Sequence, residues 1–106
     1  MDFMEKIYQE EFQQRVLQAE HPVVVDFFAD WCGPCKMLAP VLEQLERDND
    51  EVEFFKINID ENPEIAEQYE VMSIPNVGFF KGGELVDRSV GFKSADEMQS
   101  FIDSNK

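Results

Sequence analysis

Apolar and polar positions follow two different periods along the chain. Residues 10 to 19 set Phe12, Val16, Leu17 and Ala19 among charged and amide side chains, the spacing of a short amphipathic helix. "PVVVDFFA", residues 22 to 29, is an almost continuous apolar run rich in β-branched and aromatic residues, as expected of a central strand covered on both faces. Helical spacing returns at Leu38, Val41, Leu42 and Leu45 and predicts a longer helix to about residue 48. Pro40 lies inside it and is expected to kink it, because proline lacks the backbone donor and crowds the preceding turn. "VEFFKINI" is a second apolar strand. Asn62 is placed to cap the next helix, with Pro63 in its first turn and Ile65, Ala66 and Tyr69 as its apolar stripe. "VGFFKGGELVDRSV" predicts a hairpin around Gly82 and Gly83, where a two-residue turn calls for positive φ. Ser94 and Glu97 spell a capping box for a last helix that buries Met98, Phe101 and Ile102.

The order is helix, strand, helix, strand, helix, hairpin, helix, with an edge strand near "KIYQ". It predicts an α/β chain with a central mixed β-sheet flanked by helices on both faces. No repeat, low-complexity tract or Pro/Gly/Ser linker divides residues 1–106, so a single domain is expected, long enough to bury a core without disulfides or metal.

Charge narrows the partners. Lys plus Arg number 9 and Asp plus Glu 23, a formal net charge of −14. Nucleic acid and anionic membranes demand a basic footprint, so neither is expected as a partner, and the acidity fits a solvated, self-repelling surface. The amino terminus has no basic stretch leading into an apolar run of about 7 to 15 residues, and no segment approaches the roughly 18 apolar residues of a membrane span. A cytoplasmic location is therefore expected. Thiols stay reduced there, and a lone CxxC is more often catalytic or metal-binding than a permanent staple.

Both cysteines fall in "WCGPCK", residues 31 to 36, where a buried strand gives way to a helix. In open α/β sheets that junction is the usual place for a site. A helix amino terminus presents unpaired N–H groups and the positive end of the dipole, so a Cys32 thiolate is favoured there. Cys35, one turn deeper, can reach Cys32 and is expected to be the less exposed, so that Cys32 attacks and Cys35 resolves. Gly33 lets a partner approach the backbone, and Pro34 holds φ near the helical value where its missing donor is no loss. A dithiol pre-organised in this way closes readily, which makes its reduced form a good electron donor. Zinc is the rival reading, but it needs four ligands where this chain offers two cysteines and His21, so a site would have to be shared between chains. An inert pair of core cysteines is the other alternative.

Two charges interrupt the apolar strands. Asp26, amid "VVVDFF", is expected to be buried with its pKa raised toward neutrality by desolvation; the alternative is a carboxylate facing outward from a strand edge. Lys56, in "FFKINI", would oppose that rise, unless its ammonium snorkels to the sheet rim.

Taken together, "VVVDFFADWCGPCKMLAP", "SIPN", "FKGGE" and "VGF", in this order and spacing, resemble the thioredoxin family over essentially the whole chain. The resemblance implies a thioredoxin fold and a general protein-disulfide reductase with a redox-active Cys32–Cys35 disulfide. It implies disulfide-containing protein substrates and regeneration by a thioredoxin reductase, with no organic cofactor or metal; a monomer is expected. It makes Asp26 the base that deprotonates Cys35, directly or through water, with Lys56 beside it. It implies a cis peptide before Pro75 opposite the cysteines, with the Ile74 backbone free to pair with an extended substrate. Trp31, Gly33, Pro34, Ile59, Ile74, Val90, Gly91 and Phe92 would form a flat apolar rim around the reactive sulfur, although Trp31 can also be read as core and Gly91 as a strand-end glycine. Two positions depart from the family pattern: Asn76 stands where threonine is usual, and Phe28 where tryptophan is frequent.

Overall fold

The computed structural model describes residues 4–106. Its elements in chain order are Glu5–Lys6 (β1), Gln9–Phe12 (α1), Val23–Phe28 (β2), Gly33–Asp48 (α2), Glu53–Asn58 (β3), Pro63–Gln68 (α3), Asn76–Lys81 (β4), Glu84–Val90 (β5) and Ala95–Asn105 (α4). The five strands form one sheet in the order β1-β3-β2-β4-β5. β2 runs parallel to β3, which is parallel to β1, whereas β4 is antiparallel to both β2 and β5. The sheet is therefore mixed, and this is the thioredoxin fold.

The apolar run of β2 is explained by what covers it. Val24 joins Leu38, Leu42 and Leu45 of α2 and Met98 and Ile102 of α4 on one face. Val23, Val25 and Phe27 join Phe12, Val16 and Ile65 on the other. Side chains alternate across a strand, so a strand buried on both faces is apolar at nearly every position, here at all but Asp26. On the second face Phe12, Tyr69 and Phe80 meet with ring centroids 5.3 to 5.4 Å apart, pinning α1 and the end of α3 to β4.

Two local expectations change in detail. The first helix continues beyond α1 as a π-helical turn, Gln13–Leu17, closed by Gln18 N–H on the Gln13 carbonyl at 2.9 Å; Phe12 and Val16 still share its buried side. Asn62 occupies the N-cap position of α3 but does not cap it with its side chain. Its Oδ1 accepts instead from Gln9 N–H at 2.7 Å, and its Nδ2 donates to the Asn58 carbonyl at 2.9 Å, two bonds that satisfy a buried amide. As expected, Pro40 lies inside α2, and Lys36 and Pro40 are both on its exposed side, where water can serve the carbonyl that Pro40 leaves without a donor.

The β4–β5 turn carries Gly82 and Gly83 at φ 61° and 83°, as a two-residue hairpin requires. Ser94 and Glu97 cap α4 reciprocally at 3.0 and 3.2 Å. A Cβ on Gly83 would also stand 3.0 Å from the Leu17 carbonyl oxygen. Gly83→Ala is thus expected to destabilise the fold by more than about 1 kcal/mol, read as a lower urea midpoint at unchanged slope; an unaltered midpoint would show that the turn relaxes freely.

Candidate functional site

β2 ends at Phe28 and α2 begins at Gly33, so the four residues between them carry the chain across the carboxyl edge of the sheet. Cys32 is the N-cap of α2, in extended conformation, and its sulfur accepts the backbone N–H of Cys35 at 3.2 Å. That bond and the amino end of a 16-residue helix both favour negative charge on Cys32. Cys35 lies in the first turn, 5.3 Å away Cα to Cα, and the two are joined as a disulfide. Each cysteine is 4 % exposed, which corrects the expectation that Cys35 is the less exposed. Phe28, Ile59 and Ile74 pack against the small cluster of Ala29, Cys32 and Cys35; with equal exposure, what separates the two cysteines is place on the helix.

Asp26 lies two residues beyond Val24 on β2 and so faces the α2 side of the sheet. It is 3 % exposed, and its Oδ1 has no hydrogen-bond partner among the described residues. Desolvation pushes its pKa up from 3.8 to about 7, against the opposing pull of the Lys56 ammonium. The register sets Lys56 of β3 directly across from Asp26, and its Nζ sits 5.8 Å from the centre of the Phe28 ring. Asp26, Lys56 and Cys35 line one cavity of about 180 Å³, shared with Phe28, Ala29, Asp30, Lys36 and Ala39. A buried acid with an unpaired oxygen, a cation and a sulfur thus open onto one small space.

The remaining expected residues divide by exposure. Trp31 is 70 % exposed and is not core. Gly33 and Pro34 are exposed, and a Cβ on Gly33 would meet nothing within 4 Å. Ile59 and Ile74 pack on the cysteines, and the Ile74–Pro75 peptide is cis. Val90 and Phe92 are exposed; Gly91, at φ 91°, donates its N–H to the Pro75 carbonyl at 2.8 Å and so brings the end of β5 against the same loop. That φ gives Gly91 a conformational reason for being glycine. Asn76 is buried at the start of β4, opposite Val90. Pro40 does not line the cavity.

The sequence reading missed Asp60, whose Oδ2 accepts the Trp31 indole N–H at 2.8 Å. It stands 29 positions from its partner, and an exposed aspartate in an acidic chain gives no local signal. Among the described residues, no three His, Cys, Asp or Glu side chains gather so as to hold a metal ion, and no helix is long and apolar enough to cross a membrane.

Comparison with known proteins agrees with this geometry. The Thioredoxin family model matches residues 3–104. A thioredoxin of Rickettsia bellii is 44 % identical over 95 residues, covering 89 % of this chain and 90 % of that protein. A thioredoxin of Alicyclobacillus acidocaldarius is 46 % identical over 90 residues, covering 84 % and 86 % respectively. The mitochondrial thioredoxin of Mus musculus is 44 % identical over 93 residues, 87 % of this chain and 56 % of that longer protein.

The Asp26 carboxyl makes stability depend on pH. Below about pH 4 both folded and unfolded chains keep its proton; as pH rises from about 4 through 7 the unfolded chain ionises first, so the stability from the protonated buried acid is lost. Over that window the oxidised wild type should lose up to about 4 kcal/mol through this group, and Asp26→Asn should flatten the profile. Urea unfolding at pH 5, 6, 7 and 8 measures it; parallel curves for the two proteins would contradict the assignment.

Proposed function

The chain belongs to the thioredoxin family, and on that premise we propose that it is a general protein-disulfide reductase acting as a single domain over residues 1–106. Its activity class, dithiol–disulfide exchange by a protein-disulfide oxidoreductase, follows from the family match together with the bonded CxxC pair. Direction and order are the proposal. The thiolate of reduced Cys32 attacks one sulfur of a target disulfide; the target's other sulfur leaves as thiolate and takes a proton from water. Cys35 then loses its proton to Asp26 and attacks the Cys32 sulfur, which releases the second target thiol and closes the Cys32–Cys35 ring. Two electrons pass to the target, and a thioredoxin reductase supplies two to reopen the ring.

One observation carries the division of labour: Cys32 is the N-cap whose sulfur accepts a backbone N–H, while Cys35 opens onto the cavity of a buried acid. An acid held near neutrality is close to the best poised base at that pH. Lys56, across the strand pair, supports the ionised form of Asp26 once it has given up a proton. The rim of Trp31, Gly33, Pro34, Ile59, Ile74, Val90, Gly91 and Phe92 serves as the contact face, with Pro75 shaping the ledge on which an extended substrate lies.

Reduction of a disulfide-bonded protein such as insulin, driven by a dithiol, tests the proposal. The wild type should accelerate it, Cys32→Ser should not, and Cys35→Ser should accumulate a covalent mixed disulfide through Cys32. Asp26→Asn should leave formation of the mixed disulfide intact and slow its resolution by about 100-fold or more. Full acceleration by Cys32→Ser, or a biological effect retained by the double Cys→Ser variant, would point instead to a binding module that does not need the sulfurs.

A further inference from the structure

The turn between β3 and α3 supplies two groups to the contact face: Ile59, packed on the cysteines, and Asp60, which holds the Trp31 indole. Two buried asparagines, Asn58 and Asn62, are 2 % and 1 % exposed at the two ends of this turn. A buried amide is costly unless bonded, so its partners reveal what it holds. Asn58 Oδ1 accepts the backbone N–H groups of Asp60 at 2.8 Å and Glu61 at 3.3 Å, a side-chain-closed turn that fixes the main chain from which the Asp60 carboxylate projects. Asn62 Nδ2 donates to the Asn58 carbonyl at 2.9 Å, and Asn62 Oδ1 accepts the backbone N–H of Gln9, the first residue of α1, at 2.7 Å. An unbroken chain of hydrogen bonds therefore runs from the start of α1 through Asn62, Asn58 and Asp60 to the edge of the Trp31 ring. With 70 % of Trp31 in solvent, packing does little to select its orientation, and a bond of 2.8 Å loses most of its strength if the acceptor moves by an ångström.

We propose that Asn58 and Asn62 are positioning residues that set the Trp31 indole beside the disulfide through Asp60, with the Gln9 N–H at the start of α1 as their anchor. The consequence for docking rests on the reading of Trp31 as part of the contact face. The effect belongs to large substrates, which cover the indole, and not to small disulfides, which need only the sulfurs.

Trp31 is the one tryptophan of the chain, so its fluorescence anisotropy decay reports this side chain alone. Gln9→Pro removes the anchoring N–H at the first helical position, where proline is tolerated, together with the Gln9 side-chain bonds to Glu64 and to the Ile65 N–H; Gln9→Ala loses only those side-chain bonds, keeps the N–H, and is the control that should behave as wild type. Asn58→Ala removes the turn closure, and Asn58→Asp retains the accepting oxygen. Gln9→Pro and Asn58→Ala should each enlarge the fast component of the indole anisotropy decay, while Asn58→Asp behaves as wild type. In single-turnover oxidation of the pre-reduced protein, the same two variants should raise the half-saturating insulin concentration about three- to tenfold, with the maximal rate and the rate with cystamine unchanged. Wild-type anisotropy in Gln9→Pro overturns the anchor, and if Asn58→Ala does not fold, Gln9→Pro and Asn58→Asp still decide. A cystamine rate that falls together with the insulin rate overturns the positioning role in favour of general damage. Should the reduced wild type react with neither disulfide, the redox reading itself fails, whereas the anisotropy still judges the hydrogen-bond chain.

Discussion

The covering of β2 on both faces is the constraint from which the rest follows. A strand with α2 and α4 packed on one side and α1 and α3 on the other excludes water from Val23 to Phe27. Any charge on it must then be neutral, paired or strained toward its neutral form. Asp26 sits on this strand, so its proton affinity is a property of the core and not of a local motif. The same strand delivers the chain to the amino end of α2, where the first orphan N–H groups of the helix await an acceptor. Burial of one element thus creates both an acid with a pKa near neutrality and a setting at the following helix end that favours a thiolate.

The two effects reinforce each other because they are different in kind. The pull on Cys32 comes from aligned backbone dipoles and needs no solvent to be excluded. The push on Asp26 comes from exclusion of solvent and needs no dipole. Lys56 tempers the second without abolishing it, since a cation across the strand pair lowers what burial raises. A fold that kept the helix but opened the core would retain the dipole's pull on Cys32 and lose the raised proton affinity of Asp26.

Much of this was legible in the residues. The apolar run of β2, the paired glycines of the β4–β5 turn and the Ser94–Glu97 box each state their structure locally, because strand burial, positive φ and capping depend on near neighbours. Asp26 was legible for the same reason: a carboxylate within five apolar neighbours has few places to go. Asn62 misled because its position fits a cap, whereas its side chain is claimed by Gln9, 53 positions away. The Asp60 bond to Trp31 and the equal exposure of the two cysteines are tertiary facts of the same sort, set by which loops converge and not by spacing along the chain.

The two edges of the sheet have a bearing on how such a protein lives among its targets. β1 is only two residues long, and β5 presents Glu84, Asp87 and Arg88 along a strand whose pairing with β4 slips at Phe79 and Phe80. Short, charged and irregular edges are poor templates for another strand. A molecule whose proposed work is to lay extended segments of disulfide-bonded targets beside Ile74 is thereby protected from collecting them along its flanks, so that strand pairing is confined to the one ledge beside the sulfurs.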